Sequence, residues 1–357
     1  MHIFISSVAY LSLGSFALDT VQYGAFLATG TYSIANQLGF FTANGLNVVY
    51  NQVPNSTAAF QSLLNGQYDI LTATVDNALN YRFNQGQNVT VAGQLDQGPD
   101  LVIASVPSIT DITQLKGKPI IVDSPSSGYA YLLRNTLAAN GLYLNNSDYY
   151  FMTVGGTSAR YSALINGSLP NGTEVYATIL NYPFTVESEA LTDGSAPNIL
   201  ARISDTVAPI TSSAFTVAQS KVADSSEASL VVRFLASMYG ANKFLRYSIN
   251  AECSISAIAA QLGVSQDIAK TEYASVVDSF TGEVSPGGNF TVSEEGILND
   301  FEIRQKFGGF ANLAADFDVD EALTPGTGKL IDYALRDEAV ALFLDSPYYG
   351  NCTCSND

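Results

Sequence analysis

The sequence predicts an α/β protein built as two units, with a helical region at its C-terminal end. Three observations carry this prediction. Short apolar runs alternate with segments of helical period from residue 24 to about residue 195. The connections between them are short, which favours a mainly parallel sheet covered by helices. From Glu227 onward the strand-like runs stop, and Pro-Gly pairs at Pro286 and Pro325 punctuate a helical pattern. A chain of 357 residues is long enough for two such units.

Taken in order, Gly24–Thr29 reads as a strand, and Gly30-Thr-Tyr-Ser33 precedes a helix over Ile34–Asn44 that Gly45 terminates. A strand at Leu46–Tyr50, a helix at Thr57–Leu64 and an apolar run at Tyr68–Ala73 follow, then Thr74-Val-Asp-Asn-Ala78 and another helix. Val89–Gln94 and Leu101–Val106 are further strands, and Pro107 with Asp111–Gly117 marks a crossing into the second unit. That unit holds a strand at Lys118–Asp123, a helix to Asn140, a strand near Tyr149–Val154, a helix at Thr157–Ile165 and a strand at Val175–Leu180. Ala208–Val217 reads as the return crossing. Helices are then expected at Leu230–Tyr247, Ser254–Leu262, Ser265–Val277, Ser293–Phe307 and Gly328–Phe343.

Composition narrows the function. Fifteen scattered Lys and Arg residues against a net charge of −18 disfavour nucleic acid, which needs clustered cations for its phosphates. Residues 1–17 are apolar, short, and end in small residues at Ser15 and Ala17, as a secretory signal cleaved before Leu18 would. Against that reading, the segment lacks Lys and Arg, and a buried first strand is the alternative. No later segment is apolar enough to span a bilayer. Seven glycosylation sequons, at Asn55, Asn88, Asn145, Asn166, Asn171, Asn289 and Asn351, point to an exported glycoprotein, free or associated with a cell wall. The cysteines are Cys253, Cys352 and Cys354; one arrangement ties the tail to the body through Cys253 and leaves an odd thiol. Cys352-Thr-Cys354 is too sparse for zinc. Asp316–Glu321 has an acidic alternation but lacks the glycine and the final glutamate of a calcium loop, so it reads as a solvated stretch.

The stretch Asp123-Ser-Pro-Ser-Ser-Gly-Tyr129 joins a buried strand to a helix. Ser126 or Ser127 there serves either as an ordinary helix cap or as part of a cradle of free N–H donors for a negatively polarised group. The single histidine, His2, falls in the signal-like segment, which removes Ser–His–Asp and Cys–His mechanisms. No catalytic residue, metal site or cofactor is expected.

Several stretches together resemble the periplasmic-type solute-binding proteins, in their nitrate, sulfonate and thiamine-precursor (SsuA/THI5-like) branch. Gly30–Val48 is similar to the family's opening helix and "G-L-x-V" strand entry. Leu64-Asn-Gly-Gln-Tyr-Asp-Ile70 matches its "L-x-x-G-x-x-D" turn, and Ile109–Ile120, which reads Gln114-Leu-Lys-Gly-Lys118 at its centre, is similar to its "D-L-K-G-K" segment. Asn140-Gly-Leu142 and Ala163-Leu-Ile-Asn-Gly167 fit later elements. The resemblance covers residues 24–195 and only weakly the C-terminal helices.

It implies a two-lobed periplasmic-binding-protein-like fold of a secreted, fungal-type member, monomeric, with two hinge crossings near 105–109 and 208–214. Lobe one would be 18–107 plus 212–357, and lobe two 108–211. The ligand would sit between the lobes: a small polar or anionic molecule such as a sulfonate, a carboxylate or a pyrimidine. By matching position the resemblance nominates Gly30, Thr31, Tyr32 and Ser33; Asp76 and Asn77; Gln94 and Asp96; and, from lobe two, Ser126, Ser127, Gly128, Tyr129, Asn181 and Tyr182. Thr31, Asp76 and Ser127 are also natural helix caps. Arg160 is a candidate partner for an anion, whereas Arg134, two turns into its helix, is expected to face solvent or a salt bridge. Two other readings stay open: an interaction protein that keeps the fold without binding a ligand, and an enzyme like the pyrimidine synthases of this fold. The latter lacks its histidine and its cysteine-rich motif here.

Overall fold

The computed structural model describes residues 17–98, 100–192 and 194–352. The signal-like segment and Cys354 lie outside the described residues. Two five-stranded mixed sheets form the frame. In the first, Asp19–Ala25 (β1), Leu46–Gln52 (β2), Ile70–Thr74 (β3), Val89–Gln94 (β4) and Ser213–Ala218 (β10) stand in the order β2-β1-β3-β10-β4. In the second, Val102–Ser105 (β5), Lys118–Val122 (β6), Tyr149–Thr153 (β7), Ala177–Leu180 (β8) and Asn198–Arg202 (β9) stand in the order β7-β6-β8-β5-β9.

The two orders are the same pattern used twice. In each sheet the strand next to the outer one has just crossed from the other lobe: β10 in the first, β5 in the second. Each runs antiparallel to both neighbours, while the remaining pairs are parallel. The inner strands β3, β6 and β8 are apolar and buried because helices cover both faces. The chain therefore first crosses between β4 and β5, earlier than the expected 105–109, and lobe two begins before residue 108. Leu101–Val106 is a continuous apolar run, and such a run does not reveal which sheet it joins. The return crossing lies between β9 and β10 and overlaps the expected 208–214.

Most helices follow their sequence signals. Gly30–Gln37 is capped by Thr29, whose Oγ1 accepts from Tyr32 N at 3.2 Å. It ends earlier than expected because Gly39, at φ 81°, breaks the run before a short second helix at Phe40–Ala43. Thr157–Ile165 is as expected, and Gly128–Ala139 begins one residue after its cap Ser127. The C-terminal helices Ser225–Arg246, Ala251–Leu262 and Ala334–Asp345 pack on lobe one, in a core that includes Tyr23, Phe40, Phe234 and Phe244. Helix Glu294–Lys306 straddles the lobes: Ile297 and Phe301 join a lobe-one core, and Ile303 joins the lobe-two core.

Arg134 is buried rather than solvent-facing, with its guanidinium 5.1 Å from the Tyr131 ring and 5.0 Å from the Phe307 ring. Asp318 caps the short helix Val319–Leu323, so the acidic stretch is exposed and structural. Of the sequons, Asn88, Asn145, Asn166, Asn171 and Asn351 are exposed, whereas Asn55 and Asn289 are half-buried. Asn55 also caps helix Ser56–Leu64. Among the described residues no helix is long and apolar enough to cross a membrane.

Cys253 and Cys352 form a disulfide across 99 positions, pinning the end of the chain to the buried face of helix Ala251–Leu262. Closing so long a loop restricts the unfolded chain. Replacing both cysteines by serine should therefore lower unfolding stability by about 2–4 kcal/mol. Urea titration of the purified protein checks this, and an unchanged midpoint would count against the bond as a stabilising link.

Candidate functional site

The carboxyl ends of β1, β3, β6 and β8 face one another across the gap between the sheets, the place where open α/β sheets take ligands. They enclose a cavity with about 70 Å3 open to the centre of a water molecule. That is space for several waters or a small organic molecule. Lobe one supplies Ala25–Thr29 after β1, Ser56, Thr72–Thr74, Asn77, Asp96, Ser213, Glu272, Val276 and Glu283. Lobe two supplies Asp123, Ser127, Tyr129, Thr157, Arg160, Asn181 and Tyr182.

The lobes touch around this cavity. Asp123 Oδ2 accepts from Ser56 N at 3.0 Å and from Ser56 Oγ at 2.5 Å. Gly156 N donates to Pro54 O at 2.8 Å, and Gly128 N to Asn77 Oδ1 at 3.2 Å. Gly128 has to be glycine for this approach, since a Cβ there would meet Thr74 Oγ1 at 2.6 Å. Arg304 adds a clamp beside the cavity. Its Nε and Nη2 hold Asp76 at 2.7 and 2.6 Å, Nη2 also reaches Ser126 O at 2.7 Å, and the guanidinium lies 4.2 Å from the Tyr131 ring.

Of the fourteen residues nominated from sequence, Asn77, Asp96, Ser127, Tyr129, Asn181 and Tyr182 line the cavity. Gly30, Thr31, Tyr32, Ser33, Asp76, Gln94, Ser126 and Gly128 lie outside its wall. Tyr32 packs in the lobe-one core against Tyr23, with ring centroids 5.3 Å apart. Asp76 is committed to Arg304. Gln94 Oε1 accepts from Ser293 N at 2.7 Å and from Thr211 Oγ1 at 3.2 Å.

The helix starts at Gly30, Val75 and Gly128 converge on the cavity, and several of the donors that would make an anion cradle are engaged within the protein. Gly30 N and Thr31 N donate to the two carboxylate oxygens of Glu283, at 2.7 and 2.6 Å. Val75 N bonds Ser212 O, Gly128 N bonds Asn77, and Ala130 N bonds Ser127 Oγ at 3.4 Å. Arg160 is buried and mostly engaged within its own lobe. Four of its five donor hydrogens go to Gly155 O at 3.1 Å, Thr178 Oγ1 at 2.7 Å, Thr157 Oγ1 at 2.9 Å and Ile179 O.

The cavity wall therefore carries four carboxyl groups, of Asp96, Asp123, Glu272 and Glu283, against one guanidinium. Burial pushes the Glu283 carboxyl up to about 7, opposed by the hydrogen bonds from Thr31 and Gly30. Burial also raises Asp96, and it raises Glu272 well above the usual range with help from Glu283 and Glu187. Sequence reasoning missed Glu272 and Glu283 because both lie beyond the recognisable motifs, in the C-terminal region that the resemblance covers only weakly. Among the described residues no group of His, Cys, Asp and Glu is arranged to hold a metal.

A carboxyl raised in the folded state stabilises fully below its unfolded value of about 4.3, and that stability is lost as pH rises through its folded value. The melting temperature should accordingly fall between pH 5 and pH 8. Glu283→Gln should flatten part of that slope, leaving the share of Asp96 and Glu272. Thermal unfolding across this range checks it; a variant with the wild-type slope would remove Glu283 from the titration.

The comparisons with known proteins agree with this architecture. No curated protein matches the sequence. Among solved structures, the alkanesulfonate-binding protein SsuA from Xanthomonas axonopodis pv. citri is similar at 17% identity and TM-score 0.63, over 84% of this chain and 96% of that one. The periplasmic nitrate-binding protein NrtA from Synechocystis PCC 6803 is similar at 13% identity and TM-score 0.66, over 91% and 89%. A Candida albicans protein described as having the generic periplasmic binding protein fold is similar at 17% identity and TM-score 0.61, over 95% and 99%. At these identities the likeness is one of fold. Several of the solved structures it resembles are named as binding proteins, and one is named a desulfurization enzyme. The family model described as NMT1/THI5 like matches residues 28–237, more than half the chain, and the chain belongs to that family.

Proposed function

We propose that this member of the NMT1/THI5-like family is a secreted, non-catalytic solute-binding protein that closes its two lobes over a small polar molecule. The observation that carries the reading is the cavity itself, walled by the carboxyl ends of strands from both sheets. Its lining mixes apolar surface from Ala25, Leu27 and Val276 with a few buried polar groups, the usual composition of a small-molecule site. The topology supports closure, since two crossings join the sheets and helix Glu294–Lys306 bridges the two cores. The lack of any histidine beyond His2 supports a binding role, since the commonest general base is missing from the cleft.

Thermal-shift screening against sulfonates, carboxylates, amino acids, amines and pyrimidines tests the reading. At least one class should raise the melting temperature in a saturable way, since a ligand that binds only the folded state stabilises it by mass action. Ser127→Trp, which fills the cavity from the lobe-two side, should abolish that shift while circular dichroism shows an intact fold. A flat response across the panel, or a shift that survives Ser127→Trp, would contradict a ligand site in this cleft.

A further inference from the structure

Three polar atoms in the cavity wall have no hydrogen-bond partner within the protein although they are buried: the acceptors Glu272 Oε2 and Asn181 Oδ1, and the hydroxyl Tyr182 Oη, which can accept or donate. Glu272 is only 2% exposed and Tyr182 only 6% exposed. They come from opposite lobes, helix Gln266–Val276 of lobe one and the loop after β8 of lobe two. Unpaired buried acceptors cost free energy, and a carboxyl costs most. The Glu272 and Asn181 oxygens call for N–H or O–H donors, and the Tyr182 hydroxyl can accept from the same group.

The rest of the wall selects among donors. Two of the anion-holding groups of the cleft are largely used internally, the helix start at Gly30 and Thr31 by Glu283 and Arg160 by its own lobe. Four wall carboxyls against one guanidinium surround an entering cation with carboxyl oxygens, and a cation there favours their ionised forms. Phe26, Tyr129 and Tyr182 add aromatic rings to the same wall, and ring faces attract cations.

We propose that the ligand of this cleft is a small organic ammonium whose N–H donors bond Glu272, Asn181 and Tyr182, its short apolar body lying among the cavity's aromatic and aliphatic side chains. This inference rests on the cleft being a solute site and adds the sign of the ligand's charge. Arg160 then acts within the protein, holding the loop at Gly155 and the end of β8, and does not meet the ligand.

Four probes of matched length separate the possibilities on the full-length wild-type protein: propylammonium, 1-propanol, propionate and propanesulfonate. Calorimetric titration at pH 7 should show propylammonium binding at least about tenfold more tightly than the other three. Glu272→Gln should reduce propylammonium affinity by about tenfold, the loss of one charge-assisted hydrogen bond. It should at the same time leave the melting temperature of the empty protein equal or higher, because it removes an unpaired buried carboxyl. Equal binding of propanol, or tighter binding of propionate or propanesulfonate, overturns the charge assignment and leaves the solute-binding reading standing. Binding of none of the four, with a flat thermal-shift panel, overturns both.

Discussion

The Glu283 carboxylate seated on the start of helix Gly30–Gln37 is the contact on which the cleft depends. A helix start offers free N–H groups and the positive end of a dipole, and those groups need an acceptor when buried. Here Gly30 N and Thr31 N meet the two oxygens of one carboxylate. Asn242, on the long helix Ser225–Arg246, donates to Glu283 O at 2.6 Å and to Thr31 Oγ1 at 2.9 Å, so the C-terminal region is tied to the same point. The contact fixes the position of the first loop and puts a carboxyl where a fold of this kind could otherwise receive an anion.

The remaining geometry follows from two sheets of one design sharing two crossings. Because helix Glu294–Lys306 places Ile297 and Phe301 in one core and Ile303 in the other, the lobes are coupled through their cores as well as through the crossings. The polar contacts that seal the cleft are few and specific: Ser56 to Asp123, Gly156 to Pro54, Gly128 to Asn77, and Arg304 between Asp76 and Ser126. Arg304 and Asp76 are both buried, and such a pair adds little net stability over an apolar replacement. Its value here is directional, since a bidentate fork that also holds a lobe-two carbonyl defines one closed arrangement.

Much of the fold was legible in the sequence. Val89–Gln94 and Thr157–Ile165 match residue for residue, because an apolar run between turn signals and an apolar stripe at helical spacing are local patterns. Asn77, Asp96, Ser127, Tyr129, Asn181 and Tyr182 were legible as wall residues because they follow strand ends that motifs located. Which sheet β5 joins was not legible, since pairing is set by distant residues. Whether a helix start binds a ligand or an internal group was not legible either: Thr31 and Gly30 have the right sequence for a donor cradle, and Glu283, about 250 positions away, decides its use. Tyr32 shows the same limit, for an aromatic beside a cleft loop turned out to be core.

The central claim is that Glu283 stands where an anion would, and that the cleft is thereby turned toward donors and cations. Calorimetric titration of methanesulfonate into wild type and Glu283→Ala at pH 7 tests this most directly. The account predicts no measurable heat of binding for wild type and a saturable, salt-sensitive isotherm for the variant, whose Gly30 and Thr31 N–H groups are freed. Methanesulfonate binding to wild type as tightly as to the variant would contradict it.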